Sequence, residues 1–146
     1  MIDKQWIGHE LPVAVLPIEA GRLKFFAQVT GETDPVYLDE AAACAAGHAA
    51  LPAPPTFLFA AELDTGGLAY LLQTLQVPLE SVLHGEQGFT YHHPVYAGDT
   101  ITVRPRITDI VDKKNGALEF ITKTATAHNQ HGQLVAELRS VVVVRH

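Results

Sequence analysis

Pro54-Pro55-Thr56-Phe57-Leu58-Phe59-Ala60-Ala61-Glu62-Leu63 is the stretch whose reading decides the fold. The prolines make a rigid extended lead-in, and proline is tolerated at a helix start because its missing N–H is not needed there. From Thr56 the residues are apolar on nearly every side, the mark of a helix buried all round. Gly66-Gly67 weakens the run, yet Leu68, Leu71 and Leu72 continue it. One long central helix is expected.

Downstream, from Leu83, the period changes from helical spacing to two. Leu83, Phe89 and Tyr91 share one face of a strand, and His84, Glu86 and Thr90 share the other. Ala97-Gly98-Asp99 is a turn, and Thr100 to Val111 is a second strand with Ile101, Val103 and Ile107 on one face. Pro105 implies an edge or a bulge there. Asn115-Gly116 is a hairpin signal. Leu118 to Ala127 and Leu134 to Arg145 follow as third and fourth strands around a turn at His131-Gly132, giving a four-strand meander. A short first strand is expected near Leu11 to Leu16. Upstream of the central helix, Pro17 opens a helical segment with Ile18, Phe25, Phe26 and Val29 at helical spacing and Gly31 as its stop. Asp39-Glu40 starts a short Ala-rich helix, with acids where the dipole favours them, and Gly47 ends it. Cys44 is expected as a small residue packed on that helix. The pattern is α+β, an antiparallel β-sheet wrapped around a long central helix, in one domain over residues 1–146. Such a sheet covers one face of the helix well, so a dimer is expected.

The totals fit a globular chain: 146 residues, 47% hydrophobic and 18% charged. A net charge of −6 with scattered Lys and Arg and no basic stripe argues against nucleic acid. No apolar run approaches the roughly 20 residues that span a bilayer. The N-terminus lacks the features of a signal peptide, so the expected compartment is cytoplasmic. The single cysteine excludes an intrachain disulfide.

Three segments carry a family resemblance: Phe26 to Asp39, containing Gly31-Glu32-Thr33-Asp34-Pro35-Val36-Tyr37-Leu38-Asp39; Pro52 to Phe57; and His84 to Pro94 with Ala97-Gly98-Asp99. In this order and spacing the chain resembles the MaoC-like, (R)-specific enoyl-thioester hydratases of the hotdog fold, in the N-terminal fatty-acid-synthase-type dehydratase branch. The resemblance implies addition of water to an enoyl thioester, or its reversal. That chemistry needs a base for water, an acid for the α-carbon and donors for the thioester oxyanion. The family places an Asp and a His on a loop reading Gly-Asp-x-Asn-Pro-x-His, with a backbone N–H at the helix start as oxyanion donor. Here these positions are Glu32, Tyr37 and Thr56. Glu32 keeps the carboxylate on an arm longer by about 1.5 Å, a displacement that can cost roughly a hundredfold. Tyr37 replaces a group titrating near about 6.5 with one near about 10. It can donate a hydrogen bond but is a poor base at neutral pH.

His84 and Glu86, sharing a strand face, are further candidates as a displaced acid–base pair or as an exposed cross-strand contact. His92 and His93 are adjacent, so on a strand they point oppositely and cannot both serve one site. No metal or resident cofactor is expected; the only spacing of note, His128 to His131, lies in a hairpin. The implied substrate is an acyl thioester of CoA or of an acyl carrier, and the implied assembly is a homodimer or a heterodimer with a second hotdog chain. Three functions are open: a hydratase or dehydratase with an altered pair, a non-catalytic hotdog subunit stabilising a catalytic partner, and a hotdog acyl-CoA thioesterase using Glu62 or Asp64. The dehydratases' helix glutamate would fall at Ala61, one residue and about 100° away from Glu62.

Overall fold

The alternating second half of the chain folds into four long strands, and the computed structural model describes all 146 residues. Strands β1 (Ala14–Pro17), β2 (Val82–Tyr91), β3 (Thr100–Lys113), β4 (Leu118–His128) and β5 (Leu134–Arg145) form one antiparallel sheet in the order β1-β3-β4-β5-β2. Hairpins join β3, β4 and β5 as the turn signals require. The expected four-strand meander is corrected at β2, which pairs with β5 rather than with β3. Residues 92–99 are too long for a tight hairpin. Their far end is tied to β1 instead, where Gly98 N–H donates to Ile18 O at 2.8 Å and Ile18 N–H donates to Asp99 O at 2.8 Å. The chain therefore leaves one edge of the sheet and re-enters beside the other, and the outer edge of β2 has no strand neighbour. Pro105 lies beyond the end of β1 and pairs with Ala125 on its other side, so its missing N–H interrupts no ladder.

Period-two burial is cleanest in β4, where Glu119, Ile121, Lys123, Ala125 and Ala127 are buried and their neighbours are not. This inner face carries α3 (Phe59–Asp64) and α4 (Gly67–Leu75). The single long helix expected from the sequence is interrupted. Thr65 Oγ1 turns back to Ala61 O at 2.8 Å, and Gly66 takes a left-handed φ of 80°, open to glycine at no steric cost. The packing is also one-sided: Phe57, Leu58, Ala61 and Glu62 are buried, whereas Leu63 is 44% exposed. The break divides the core. Phe57, Leu58 and Ala61 pack with Leu23, Val103, Ala125 and Leu138, whereas Leu71, Leu72 and Leu75 pack with Ile107, Ile121, Val142 and Val144.

The first half supplies α1 (Ala20–Val29) and α2 (Glu40–Ala45). Pro17 ends β1 rather than opening a helix, and α1 turns Leu23 and Ala27 to the core while Phe25 and Val29 are exposed. Asp39 caps α2 through Ala42 N–H at 2.8 Å. Cys44 is exposed, not packed. No helix is long and apolar enough to cross a membrane.

Candidate active site

The loop from Gly31 to Asp39 is held by its own acids. Glu32 Oε1 accepts from Thr33 N–H at 2.9 Å and Asp34 N–H at 3.0 Å, and Asp34 Oδ1 accepts from Val36 N–H at 3.0 Å. These bonds fold Pro35–Tyr37 into a single tight turn. Tyr37, half-buried, is the loop residue that reaches a cavity of about 320 Å³. Pro54, Pro55 and Leu58 form one wall, so the lead-in to α3 faces the loop. Tyr91, His92 and His93 form another where β2 ends, and His48 approaches from beyond α2.

Each wall has a local cause. Strand β2 stops at Tyr91, and both His92 N–H and His93 N–H turn to Val135 O, at 2.9 and 3.2 Å. That bend removes the strand alternation, so His92 and His93 both line the cavity, against the expectation that they could not share a site. His92 Nε2 lies 2.9 Å from Glu137 Oε2, an imidazole oriented by a carboxylate. His48 Nδ1 lies 3.2 Å from the Tyr96 hydroxyl. Burial, with a smaller contribution from nearby Tyr37, pushes the Tyr91 phenol up to about 12. Tyr91 is thus a hydrogen-bond donor, not a base, at neutral pH. Thr56 N–H follows the two prolines and bonds to no backbone oxygen, leaving a donor free at the start of the helical segment. The first full helical turn is reached only after Leu58, so Thr56 does not cap α3 with its side chain.

His84 and Glu86 are not a pair. Gly85 is bulged: His84 opposes Val142 and Glu86 opposes Val141, successive residues of β5 on opposite faces. Only glycine fits this bulge, since a Cβ would come within 2.8 Å of Val143 Cγ2 and 3.2 Å of Val141 O. His84 lies on the helix side of the sheet, still exposed, with its ring edge-on to Phe59 at 5.1 Å. Glu86 turns outward to Arg139 at 2.6 Å. The helix acids are likewise engaged: Glu62 Oε2 is 2.6 Å from Lys123 Nζ inside the core, and Asp64 pairs with Arg22 at the surface.

The geometry places two phenols and an imidazole oriented by a carboxylate around one cavity, with the unengaged Thr56 N–H next in the chain to its Pro55 wall, in a sheet that packs its inner face on the broken helix. Residues 5–138 match the family model described as FAS1-like, dehydratase domain region. The chain belongs to this family. Within the FAS1-like dehydratase region, similar proteins include the UPF0336 protein of Streptomyces avermitilis, 34% identical over 146 residues, spanning 99% of this chain and 95% of that protein. The UPF0336 protein of Parafrankia sp. is 39% identical over 138 residues, with 93% and 89% covered. Among solved structures, the HadBC (3R-hydroxyacyl-ACP dehydratase) complex of Mycobacterium tuberculosis superposes with a TM-score of 0.80 at 24% identity, covering 94% of this chain and 96% of that one. The (R)-hydratase from A. caviae superposes at 0.69 with 22% identity, covering 93% and 94%. The fold of this FAS1-like dehydratase region is the α+β hotdog of the MaoC-like proteins.

Nothing periodic in the sequence announces His48 or Tyr96. Tyr91 reads as one more apolar strand residue. The signal that bears on His92 is Pro94, since a proline so close to a strand's end disfavours its continuation.

Proposed function

We propose that this chain binds an enoyl or 3-hydroxyacyl thioester, of CoA or an acyl carrier, as a hotdog subunit of a hydratase or dehydratase. A second hotdog chain, joined along the free edge of β2, supplies the catalytic Asp and His that Glu32 and Tyr37 replace in this loop. The observation that carries the reading is the division of labour in the loop: Glu32 spends one carboxylate oxygen on its own backbone, whereas Tyr37 faces the cavity. In this reading Thr56 N–H and the protonated Tyr91 phenol are donors toward the thioester oxygen, in a partly dry site where such bonds gain strength. Tyr37 donates to the oxygen that enters or leaves at the β-carbon. The neighbours named HadBC and ChsH1-ChsH2 are complexes of two chains, which supports assembly with a partner.

One observation favours a second reading, in which the chain acts alone. His92 has its own carboxylate, Glu137, and borders the same cavity. An imidazole held in this way can act as general base near neutral pH. The thioesterase alternative finds less support, because Glu62 and Asp64 are both engaged in ion pairs away from the cavity.

The test is to mix the purified chain with crotonyl-CoA and follow loss of the conjugated double bond and release of thiol. Binding without hydration, followed by hydration once a second hotdog chain carrying Gly-Asp-x-Asn-Pro-x-His is added, is the expected result. Hydration by the chain alone, abolished by His92→Gln, would establish the second reading, and thiol release would establish the thioesterase.

A further inference from the structure

The outer face of the sheet, turned away from the helices, carries a further cavity. Register builds it in two rows. Arg104 of β3 opposes Thr126 of β4, Thr126 opposes Glu137 of β5, and Glu137 opposes Thr90 of β2. In the next row Arg106 opposes Thr124, Thr124 opposes Arg139, and Arg139 opposes Gly88. Their chain neighbours Val103, Ala125 and Leu138 are buried on the helix side, so the two rows share the outer face. Together they border a cavity of about 670 Å³, a size that suits a small molecule. Gly88, with no side chain, leaves the second row open at β2.

The charges in this groove are not matched to one another, although the chain as a whole carries a net charge of −6. Arg139 has its own acid, Glu86 at 2.6 Å, and Glu137 turns one oxygen to His92. Arg104 and Arg106 form no ion pair. Glu10 borders the groove and bridges to Arg106 through the backbone alone. Opposite charges ordinarily meet across strands. Here two free guanidiniums lie two residues apart on one face, about 7 Å along the strand. Each presents a planar fork of donors that matches phosphate oxygens, and a dianion between them removes their mutual repulsion.

The rest of the groove is built for alcohols. Thr90, Thr124 and Thr126 can both give and take hydrogen bonds, and Glu137 Oε1, which His92 leaves free, can accept. No aromatic side chain opens on it: Phe89 borders the cavity through its strand, but its ring packs with the inner core. Nothing there can stack a base.

We propose that this groove binds a sugar phosphate, with Arg104 and Arg106 on the phosphate and Thr124, Thr126 and Glu137 on the sugar hydroxyls. The site stands apart from the cavity at Tyr37 and does not rest on the acyl-thioester reading. Free sugar phosphates offer this chemistry, and so does the phosphorylated ribose of CoA. An acidic peptide fits less well, because Glu10 and Glu137 repel its carboxylates.

The test is titration of ribose 5-phosphate, inorganic phosphate and ribose into the full chain at low salt, followed by amide NMR shifts. The wild type should bind ribose 5-phosphate about tenfold tighter than inorganic phosphate, the scale of one or two hydrogen bonds to a charged group, and ribose not measurably. Shifts should centre on the facing segments of β3, β4 and β5. Arg104→Gln and Arg106→Gln should each weaken ribose 5-phosphate about tenfold, and if one variant does not fold, the other carries the test. The double variant Thr124→Val/Thr126→Val should bring ribose 5-phosphate down to the affinity of inorganic phosphate. Displacement of ribose 5-phosphate by CoA but not by pantetheine assigns the ligand to the coenzyme, and no displacement by CoA assigns it to a free sugar phosphate. Equal affinity for inorganic phosphate and ribose 5-phosphate, meaning an adventitious ion only, overturns the proposal. So does an affinity unchanged in the folded arginine variants, or the absence of shifts in the groove.

Discussion

Two polar clusters stand out in this hotdog, one partly open to solvent at the end of β2 and one buried across the middle of the sheet. Each brings a carboxylate beside a histidine, Glu137 with His92 in the first and Glu62 near His84 in the second, but their settings are opposite. Tyr37, His48, His92 and His93 gather where regular structure has ended: a tight turn, the segment after α2, and a strand that bends at its last residue. Glu62, Lys123 and Ser140 sit within regular elements, and register decides which of them meet. The first cluster is open and keeps donors free, and in the second a carboxylate and an ammonium are committed to each other. The contrast teaches that the loop's acids and the helix's acid have exchanged the roles their positions suggest. Glu32, in the motif, holds backbone. Glu62, in an apolar helix, is the buried charge.

The largest effect should come from the sealed cluster. Lys123→Met leaves Glu62 buried without its partner, which should destabilise the fold by about 3–5 kcal/mol. Replacing both, Glu62→Leu with Lys123→Met, should regain most of that loss. Urea unfolding of the two variants checks this, and a single variant as stable as wild type would break the contrast. A smaller effect is expected in the loop. Glu32→Ala removes an acceptor for two backbone N–H groups, much as loss of a helix cap does, and should cost about 1 kcal/mol. Glu32→Gln keeps the oxygen and should cost a fraction of that.

The smallest effect concerns pH. Tyr91 titrates near about 12 when folded and near 10.0 when unfolded. Below pH 10 both states hold the proton and Tyr91 makes stability no more pH-dependent. Between pH 10 and 12 the unfolded chain releases it while the folded chain keeps it, so stability falls. Tyr91→Phe should flatten that alkaline fall, as read from thermal melts across the range. An identical fall in the variant would assign it to other groups.

Much of the fold was legible because it rests on repeated local signals. Ile101, Val103 and Ile107 lie buried on one face as their alternation requires. The turn at Asn115-Gly116, the stop at Gly31 and the cap at Asp39 are where the residues point. What was not legible depends on single residues that change phase, or on long-range pairing. Gly85 shifts the register by one, which separates His84 from Glu86 although their spacing reads as one face. Gly66 breaks the central helix where the apolar pattern runs on. The placement of β2 beside β5 follows from the tie between Ile18 and Asp99, far apart in sequence. In the site, Tyr37 was found through the loop's resemblance. His48, Tyr91 and the pairing of His92 with Glu137 arise from strand ends and segments meeting in space, which spacing alone does not encode.

The central claim is that the cavity at Tyr37 holds an acyl thioester while Glu32 only shapes the loop. Calorimetric titration of (R)-3-hydroxybutyryl-CoA, which carries the β-oxygen, into wild type, Tyr37→Phe and Glu32→Gln tests it directly. Loss of one donated hydrogen bond should weaken Tyr37→Phe by about tenfold, with Glu32→Gln close to wild type. A greater loss in Glu32→Gln than in Tyr37→Phe, or no binding by the wild type, would contradict it.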